Sequence, residues 1–105
     1  MLKNLFTNIP ENLPEEVFDL LLLDRAVKIV RIVSMGQSGP EQGWYDQDDN
    51  EWVLLLQGEA VLEFENGNGF HLQSGDFLDI PAHQKHRVRW TPADRPTLWL
   101  AVHYK

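Results

Sequence analysis

The amino-acid sequence predicts an all-β domain of the sandwich, jelly-roll or small-barrel type, preceded by one short helix. Two observations carry this prediction. Short runs of strand length follow one another at close, regular spacing after residue 25, and turn-rich segments separate them. The length of 105 residues allows one domain with a modest core and leaves little room for a second. We therefore expect a helical flank at residues 1–25 and a single β domain at residues 26–105.

The segment PENLPEEVFDLLLLD, residues 10–24, predicts the N-terminal helix. Pro14 suits a first helical turn, where its missing N–H costs nothing, and the two glutamates after it favour the positive end of the helix dipole. Val17, Leu20 and Leu21 would share one face of this helix. We expect it to flank the β domain.

From residue 26 onward the sequence takes on the pattern of β-strands. The run AVKIVRIVS is rich in β-branched side chains, and the pair Gln57-Gly58 predicts a tight connection between two strands. Apolar and acidic side chains alternate in the second of these strands, as they do when one face of a sheet is buried. Strands are predicted at residues 26–34, twice within 51–69, and at 69–73, 76–81, 86–91 and 97–104.

Composition excludes several classes of function. The formal net charge is −7 with nine Lys and Arg residues, which disfavours a nucleic-acid or anionic membrane partner. The chain has no cysteine, so disulfides, thiolate metal sites and a cysteine nucleophile are excluded. No apolar run is long enough to span a bilayer, and no leader peptide is evident, so we expect a cytoplasmic protein.

The stretch HRVRW, residues 86–90, alternates cleanly. On a strand His86, Val88 and Trp90 share one face, and Arg87 and Arg89 share the other. The apolar members make the first face the buried one. The sequence therefore predicts that His86 and Trp90 point together into the barrel, where small barrels hold their ligands.

Two half-motifs resemble those of the cupin superfamily. Gly75, Pro81 and His86 match the second cupin motif in order and spacing, and Glu51 followed by Gly58 matches the second half of the first. The resemblance implies a double-stranded β-helix, the cupin jelly-roll barrel. It covers roughly residues 26–104, nearly the whole predicted β domain.

The resemblance also implies a site. Many cupins hold a metal ion with three histidines and one glutamate, and here Tyr45 and Gln47 stand where the first motif has its histidine pair. Carried over, Gln47, Glu51 and His86 are the predicted ligands of a divalent ion such as Mn, Fe, Zn or Ni. Tyr45, together with Trp90 and His103, is predicted to contact a small organic molecule.

The other histidines are open to plainer interpretations. Both faces of residues 97–104 are apolar, so alternation leaves open whether His103 points inward, replacing a missing imidazole, or caps the strand end. His83 occupies a turn, at a position where the cupin motif has glycine. We expect it to be exposed, and the alternative left open is that it lines the pocket mouth as an acid or base. His71 is expected at the surface. The acidic loop at residues 43–52 lacks the glycine and flanking helices of a calcium-binding EF-hand.

Two hypotheses of function follow. The first is a metal-dependent enzyme acting on a small organic molecule, with no catalytic residue assigned. The second is a non-catalytic binding or sensing module that holds a small ligand without metal. A homodimer is expected in either case, because the resemblance implies paired barrels and because exposed sheet edges need covering.

Overall fold

The computed structural model describes residues 2–105, which form eight β-strands in two antiparallel sheets. The all-β prediction is confirmed. The strands are β1 (Val17–Leu23), β2 (Val27–Ser34), β3 (Asn50–Gln57), β4 (Glu59–Phe64), β5 (Gly69–Gln73), β6 (Phe77–Ile80), β7 (His86–Trp90) and β8 (Thr97–Tyr104).

The larger sheet has the strand order β1-β2-β8-β3-β6, and the smaller sheet has the order β5-β4-β7. The inner faces of both sheets contribute to one hydrophobic core. On β4 the buried side chains are Ala60, Leu62 and Phe64, and on β3 Val53 and Leu55 face them. Alternation along β3 then directs Glu51 to the same inner face, where it is also buried.

The predicted N-terminal helix is wrong. Residues 2–105 contain no helix, and Val17–Leu23 instead forms β1, which pairs antiparallel with β2 at the edge of the larger sheet. A short apolar run fits either period, and an isolated helix of this length is marginal in water. Pairing with β2, interrupted by a bulge at Leu21, supplies backbone partners along one side of the strand. The flank at 1–25 is therefore partly a strand of the barrel. Residues 2–105 contain no helix that is long and apolar enough to cross a membrane.

One buried arginine fixes the segment that precedes β1. Arg31 on β2 is 8% exposed, and its Nε and Nη2 donate to Asp19 Oδ2 at 2.9 and 2.7 Å. Its Nη1 donates to the carbonyl oxygens of Leu5 and Thr7 at 3.0 and 2.7 Å. The guanidinium thus joins the first residues of the chain to the outer face of the larger sheet.

Candidate functional site

The barrel contains a cavity of about 460 Å³. Aliphatic side chains of both sheets form much of its wall, among them Val30, Val53 and Leu62. Polar side chains also line it, and five of them are Tyr45, Gln47, Glu51, His86 and His103. The cavity is therefore largely apolar with a cluster of polar groups, the usual character of a small-molecule site.

Strand register explains why Glu51 meets two histidines. Glu51 on β3 is the direct antiparallel partner of His103 on β8, so their side chains leave the sheet on the same face. His86 arrives from the opposite sheet at the start of β7, where its backbone exchanges hydrogen bonds of 2.8 and 3.2 Å with Tyr45. That bridge holds the loop before β3 against β7 and brings Gln47 to the same place.

The Glu51 carboxylate is the centre of the cluster. Its Oε1 lies 3.5 Å from His86 Nε2, and its Oε2 lies 3.6 Å from His103 Nε2. Gln47 Nε2 donates to Oε1 at 3.2 Å. The structure thus brings together all three predicted metal ligands and His103. Of the two orientations left open for His103, the inward one is found.

The tautomer of His86 is set by the backbone. Its Nδ1 lies 2.9 Å from the carbonyl oxygen of Gln84, which can only accept a hydrogen bond, so Nδ1 carries a proton. In a neutral imidazole Nε2 would then present a lone pair to a carboxylate oxygen. A proton between the two atoms, carried by His86 or by Glu51, or a metal ion would relieve this repulsion.

The pKa directions agree with an ion pair. Burial alone would lower the pKa of His86, but the hydrogen bonds to Glu51 and Gln84 outweigh burial and raise it. Burial alone would raise the pKa of Glu51, but the hydrogen bond from His86 and the charges of both histidines hold it below its ordinary value. The two groups therefore favour a buried carboxylate beside an imidazolium.

Tyr45 supplies a neutral hydroxyl at the same end of the cavity. Burial, with the nearby carboxylates of Glu16 and Glu51, raises the pKa of its phenol above the ordinary value, so it stays protonated near neutral pH. Its ring centroid lies 5.7 Å from that of His86. A Cβ on Gly39 would stand 2.9 Å from the Tyr45 hydroxyl oxygen, so the absence of a side chain there makes room for it.

The prediction that Trp90 points into the cavity is wrong. Val88 pairs with Leu62 but Trp90 pairs with Val61, so the register of β7 shifts by one residue at Arg89. Such a β-bulge reverses the alternation beyond it. His86 and Val88 face inward as predicted, whereas Trp90 is 42% exposed on the outer face, with its ring edge-on to His71.

The remaining histidines lie where the sequence predicts. His71 is exposed, and its Nε2 is hydrogen-bonded to the Glu59 carboxylate. His83 is exposed in the turn before β7, with Nδ1 2.7 Å from Asp46 Oδ1. Its φ of 64° lies in the left-handed region, which explains why glycine suits this position of the cupin motif.

Sequence reasoning missed the part of the cavity formed by the N-terminal segment. Glu16, Phe18 and Leu20 line the cavity from β1 and the residue before it, and Lys28 lines it from β2. They were not predicted as cavity residues because the sequence analysis placed this segment in a helix outside the β domain. The alternation in VFDL, with the inward Phe18 and Leu20 on either side of the outward Asp19, was the available signal.

The donor atoms of Glu51, His86 and His103 are of the types that bind a divalent ion, but their positions are less suitable. Imidazole nitrogen and carboxylate oxygen are common ligands of first-row metals. However, each histidine faces a different oxygen of Glu51. Within the described part of the chain, no group of three or more His, Cys, Asp or Glu residues is placed to hold a metal ion. The cluster is therefore not a preformed three-ligand centre of those residue types.

Comparison with known proteins gives a family and several similar structures. The family model of the cupin domain matches residues 31–103. A candidate mannose-6-phosphate isomerase from Ralstonia eutropha JMP134 is 42% identical, with 100% of this chain and 98% of that chain covered and a TM-score of 0.95. Comparison with curated proteins gives no match.

More distant structures share the fold. A cupin superfamily protein from Desulfitobacterium hafniense DCB-2 is 23% identical over 91% of this chain and 83% of its own, with a TM-score of 0.76. A cupin family protein with a double-stranded β-helix fold from Methanocaldococcus jannaschii is 18% identical over 91% and 85%, with a TM-score of 0.73.

Proposed function

Because the chain belongs to the cupin family and its barrel encloses a largely apolar cavity with one polar end, we propose that it binds a small organic molecule there. The observation that carries the proposal is the buried pair of Glu51 and His86, which faces the cavity and whose lone pairs require a cation between them. A buried charged pair is costly to maintain in a core, and groups with perturbed pKa values cluster at functional sites.

The charges around the cavity indicate the class of ligand. The carboxylates of Glu16 and Glu51 line it, and the cation of Lys28 is the one lysine or arginine among its described lining residues. The volume of about 460 Å³ suits a small molecule with an aliphatic or aromatic body. We therefore favour a neutral or cationic molecule whose hydrogen-bonding group meets Glu51, His86 and Tyr45.

This balance of charge argues against a sugar phosphate. The name of the relative from Ralstonia eutropha mentions mannose 6-phosphate, whose phosphate would carry up to two negative charges. Phosphate sites are typically built from arginines, lysines and backbone N–H groups. One lysine opposed by two carboxylates is a poor match, so we expect little affinity of this chain for mannose 6-phosphate.

The chemistry open to the site without metal is proton transfer. With Nδ1 tied to the carbonyl of Gln84, His86 can carry or release a proton only at Nε2, which lies at the Glu51 carboxylate. Glu51 stabilises the imidazolium, and the protonated Tyr45 can donate a hydrogen bond to an oxygen of the ligand. These are the parts of a general acid–base site. A binding module would use the same groups to orient its ligand.

A divalent metal held by Gln47, Glu51 and His86 is the second candidate. One observation favours it: His86 Nδ1 is tied to a backbone carbonyl, the usual orienting contact of a ligating histidine. In addition, two ligands ~2.1 Å from a tetrahedral ion stand ~3.4 Å apart. The 3.5 Å between Glu51 Oε1 and His86 Nε2 is close to that spacing. A bound Mn, Fe, Zn or Ni ion would supply Lewis acidity at this end of the cavity.

One experiment separates the two candidates. The protein is purified without chelator or histidine tag, supplied with Fe(II), Mn(II) and Zn(II), and analysed for bound metal. Near-stoichiometric metal that His86→Ala abolishes supports the metal site. Protein without metal, whose melting temperature rises with neutral or cationic compounds but not with mannose 6-phosphate, supports the metal-free site.

A matched pair of variants makes the result specific. Glu51→Gln should abolish ligand-induced stabilisation in either case, because it removes the central carboxylate. Glu65→Gln changes an exposed carboxylate outside the cavity and should leave that stabilisation intact. Equal responses of wild type and Glu51→Gln to every bound compound would refute the proposed site.

A further inference from the structure

Strand register places three polar side chains in one row across the larger sheet. Lys28 on β2 is the direct antiparallel partner of His103 on β8, and His103 is in turn the partner of Glu51 on β3. Direct partners leave a sheet on the same face, and all three side chains line the cavity. Lys28 is exposed, whereas the side chains of His103 and Glu51 are 15% and 11% exposed. The row therefore runs from a cation at the mouth of the cavity to the buried carboxylate.

The cation of Lys28 is available to a ligand. Two other lysines form ion pairs on the surface, Lys85 with Glu65 and Lys105 with Asp49. None of the ion pairs formed within residues 2–105 involves Lys28. Its four-carbon stem is flexible, so its ammonium group can reach an anionic group held at the cavity mouth.

An aliphatic surface lies beside this row. The next inward-facing residues of the same three strands are Val30, Ala101 and Val53, and both valines line the cavity. Neighbouring strands lie ~4.8 Å apart, so the backbones of Lys28 and Glu51, two strands apart, are separated by ~10 Å. A molecule that spans the row therefore needs an apolar body with one polar group at each end.

Glu16, the other carboxylate of the lining, lies too far from Lys28 to complete such a pair. Its Oε2 accepts a hydrogen bond of 2.7 Å from Ser34 Oγ. Ser34 ends β2 and lies six residues from Lys28 along that strand, which corresponds to ~20 Å. Glu51 is therefore the carboxylate that a short ligand can reach together with Lys28.

We propose that the cavity binds an ω-amino carboxylic acid, a zwitterion with a short aliphatic chain between its charges, with the carboxylate at Lys28 and the ammonium at Glu51. This inference rests on the proposed ligand site and names the class of molecule that the site takes. One lysine matches one carboxylate, and the ligand is neutral overall. The ammonium has three N–H donors, which provide partners for the facing lone pairs of Glu51 Oε1 and His86 Nε2. An α-amino acid, whose two charges are close together, would not span the row.

The test is isothermal titration calorimetry with three compounds of equal chain length: ε-aminocaproate, hexylamine and caproate. Wild type should bind ε-aminocaproate about fivefold more tightly than hexylamine, because one partly exposed ion pair is added, and caproate more weakly than either. Lys28→Met keeps the aliphatic stem without the charge and should bind ε-aminocaproate and hexylamine alike. Lys28→Glu should prefer hexylamine. The matched control is Lys3→Met, an exposed change outside the cavity lining, which should keep the wild-type preference.

The fold of each variant is checked by urea unfolding, and Lys28→Arg, which keeps the charge, should keep the preference for ε-aminocaproate. Equal binding of ε-aminocaproate and hexylamine by wild type overturns the inference. The proposed ligand site would still stand in that case if Glu51→Gln abolished the binding of hexylamine. A preference for ε-aminocaproate that persists in Lys28→Met also overturns the inference. So does a wild type that binds none of the three compounds, and the proposed site is then judged by its response to other neutral compounds.

Discussion

Glu51 and His103 face each other directly across β3 and β8, with Oε2 and Nε2 3.6 Å apart. The other oxygen of the same carboxylate faces His86, which comes from the opposite sheet. One buried carboxylate therefore links the two sheets of the barrel. The charge state of this group should affect both the site and the stability of the fold.

Stability should depend on pH through Glu51 and His86. The folded pKa of Glu51 lies below its ordinary value of 4.5, so its contribution is present above pH 4.5 and is lost as the pH falls through the folded pKa. The folded pKa of His86 lies above its ordinary value of 6.5, so its contribution is complete below pH 6.5 and is lost as the pH rises through the folded pKa. Urea unfolding of wild type should show the largest benefit of the pair between these values. Glu51→Gln should flatten the profile, and an unchanged profile would contradict the ion pair.

His103 should influence the titration of Glu51. His103→Gln removes a positive charge that lowers the pKa of the carboxyl, so that pKa should rise and acid unfolding should begin at higher pH. Carboxyl carbon chemical shifts followed by NMR against pH measure the effect directly. His83→Gln, an exposed change at the turn before β7, is the control and should leave the Glu51 titration where it is. Identical curves for all three proteins would show that His103 is not coupled to the site.

Gly58 should tolerate a side chain far less well than Gly67. Both have positive φ, 101° and 96°, so alanine is strained at either position. A Cβ on Gly58 would also meet Thr97 Oγ1 at 2.8 Å and Thr97 Cα at 2.9 Å, while a Cβ on Gly67 meets nothing within 4 Å. Gly67→Ala should cost about 1 kcal/mol in unfolding free energy. Gly58→Ala should cost about 3 kcal/mol, because overpacking adds to strain. If both variants lost the same unfolding free energy in chemical denaturation, the backbone around Gly58 would be able to shift and accommodate the added Cβ.

Arg31 should hold the N-terminal segment in place. Arg31→Met removes hydrogen bonds to Asp19, Leu5 and Thr7, and we expect a loss of about 2–3 kcal/mol because these bonds involve a charged donor. Proteolysis or hydrogen exchange should show faster opening of residues 2–10 with little change in β3 and β8. Arg25→Met, an exposed change beside the same strand pair, should have almost no effect on either measurement.

Much of the site could be predicted because the spacing of residues within short sequence motifs identifies its members. Glu51 and His86 each follow from a half-motif, and alternation with Val88 directs His86 inward. His103 could not be assigned because β8 lies between β2 and β3 in the middle of the larger sheet. Such a strand is apolar on both faces, so alternation loses its information.

Two errors had a common physical origin in irregular pairing. The bulge at Arg89 depends on how β7 meets β4, which no pattern within HRVRW specifies. The apolar run in β1 forms a strand because it pairs with the exposed edge of β2, and that edge exists only in the folded sheet. In both cases a contact between distant segments overrode a sound local pattern.

The position of β8 has a consequence for how the protein folds. Strands β2 and β3 are consecutive in the chain but never touch as neighbours, because β8 lies between them. The sheet therefore cannot close until a segment about fifty residues further along the chain inserts, and folds dominated by such distant pairings form slowly, in ~milliseconds to seconds. Until that insertion Glu51 has no His103 opposite it. The contact between Glu51 and His103 therefore forms only when β8 takes its place between β2 and β3.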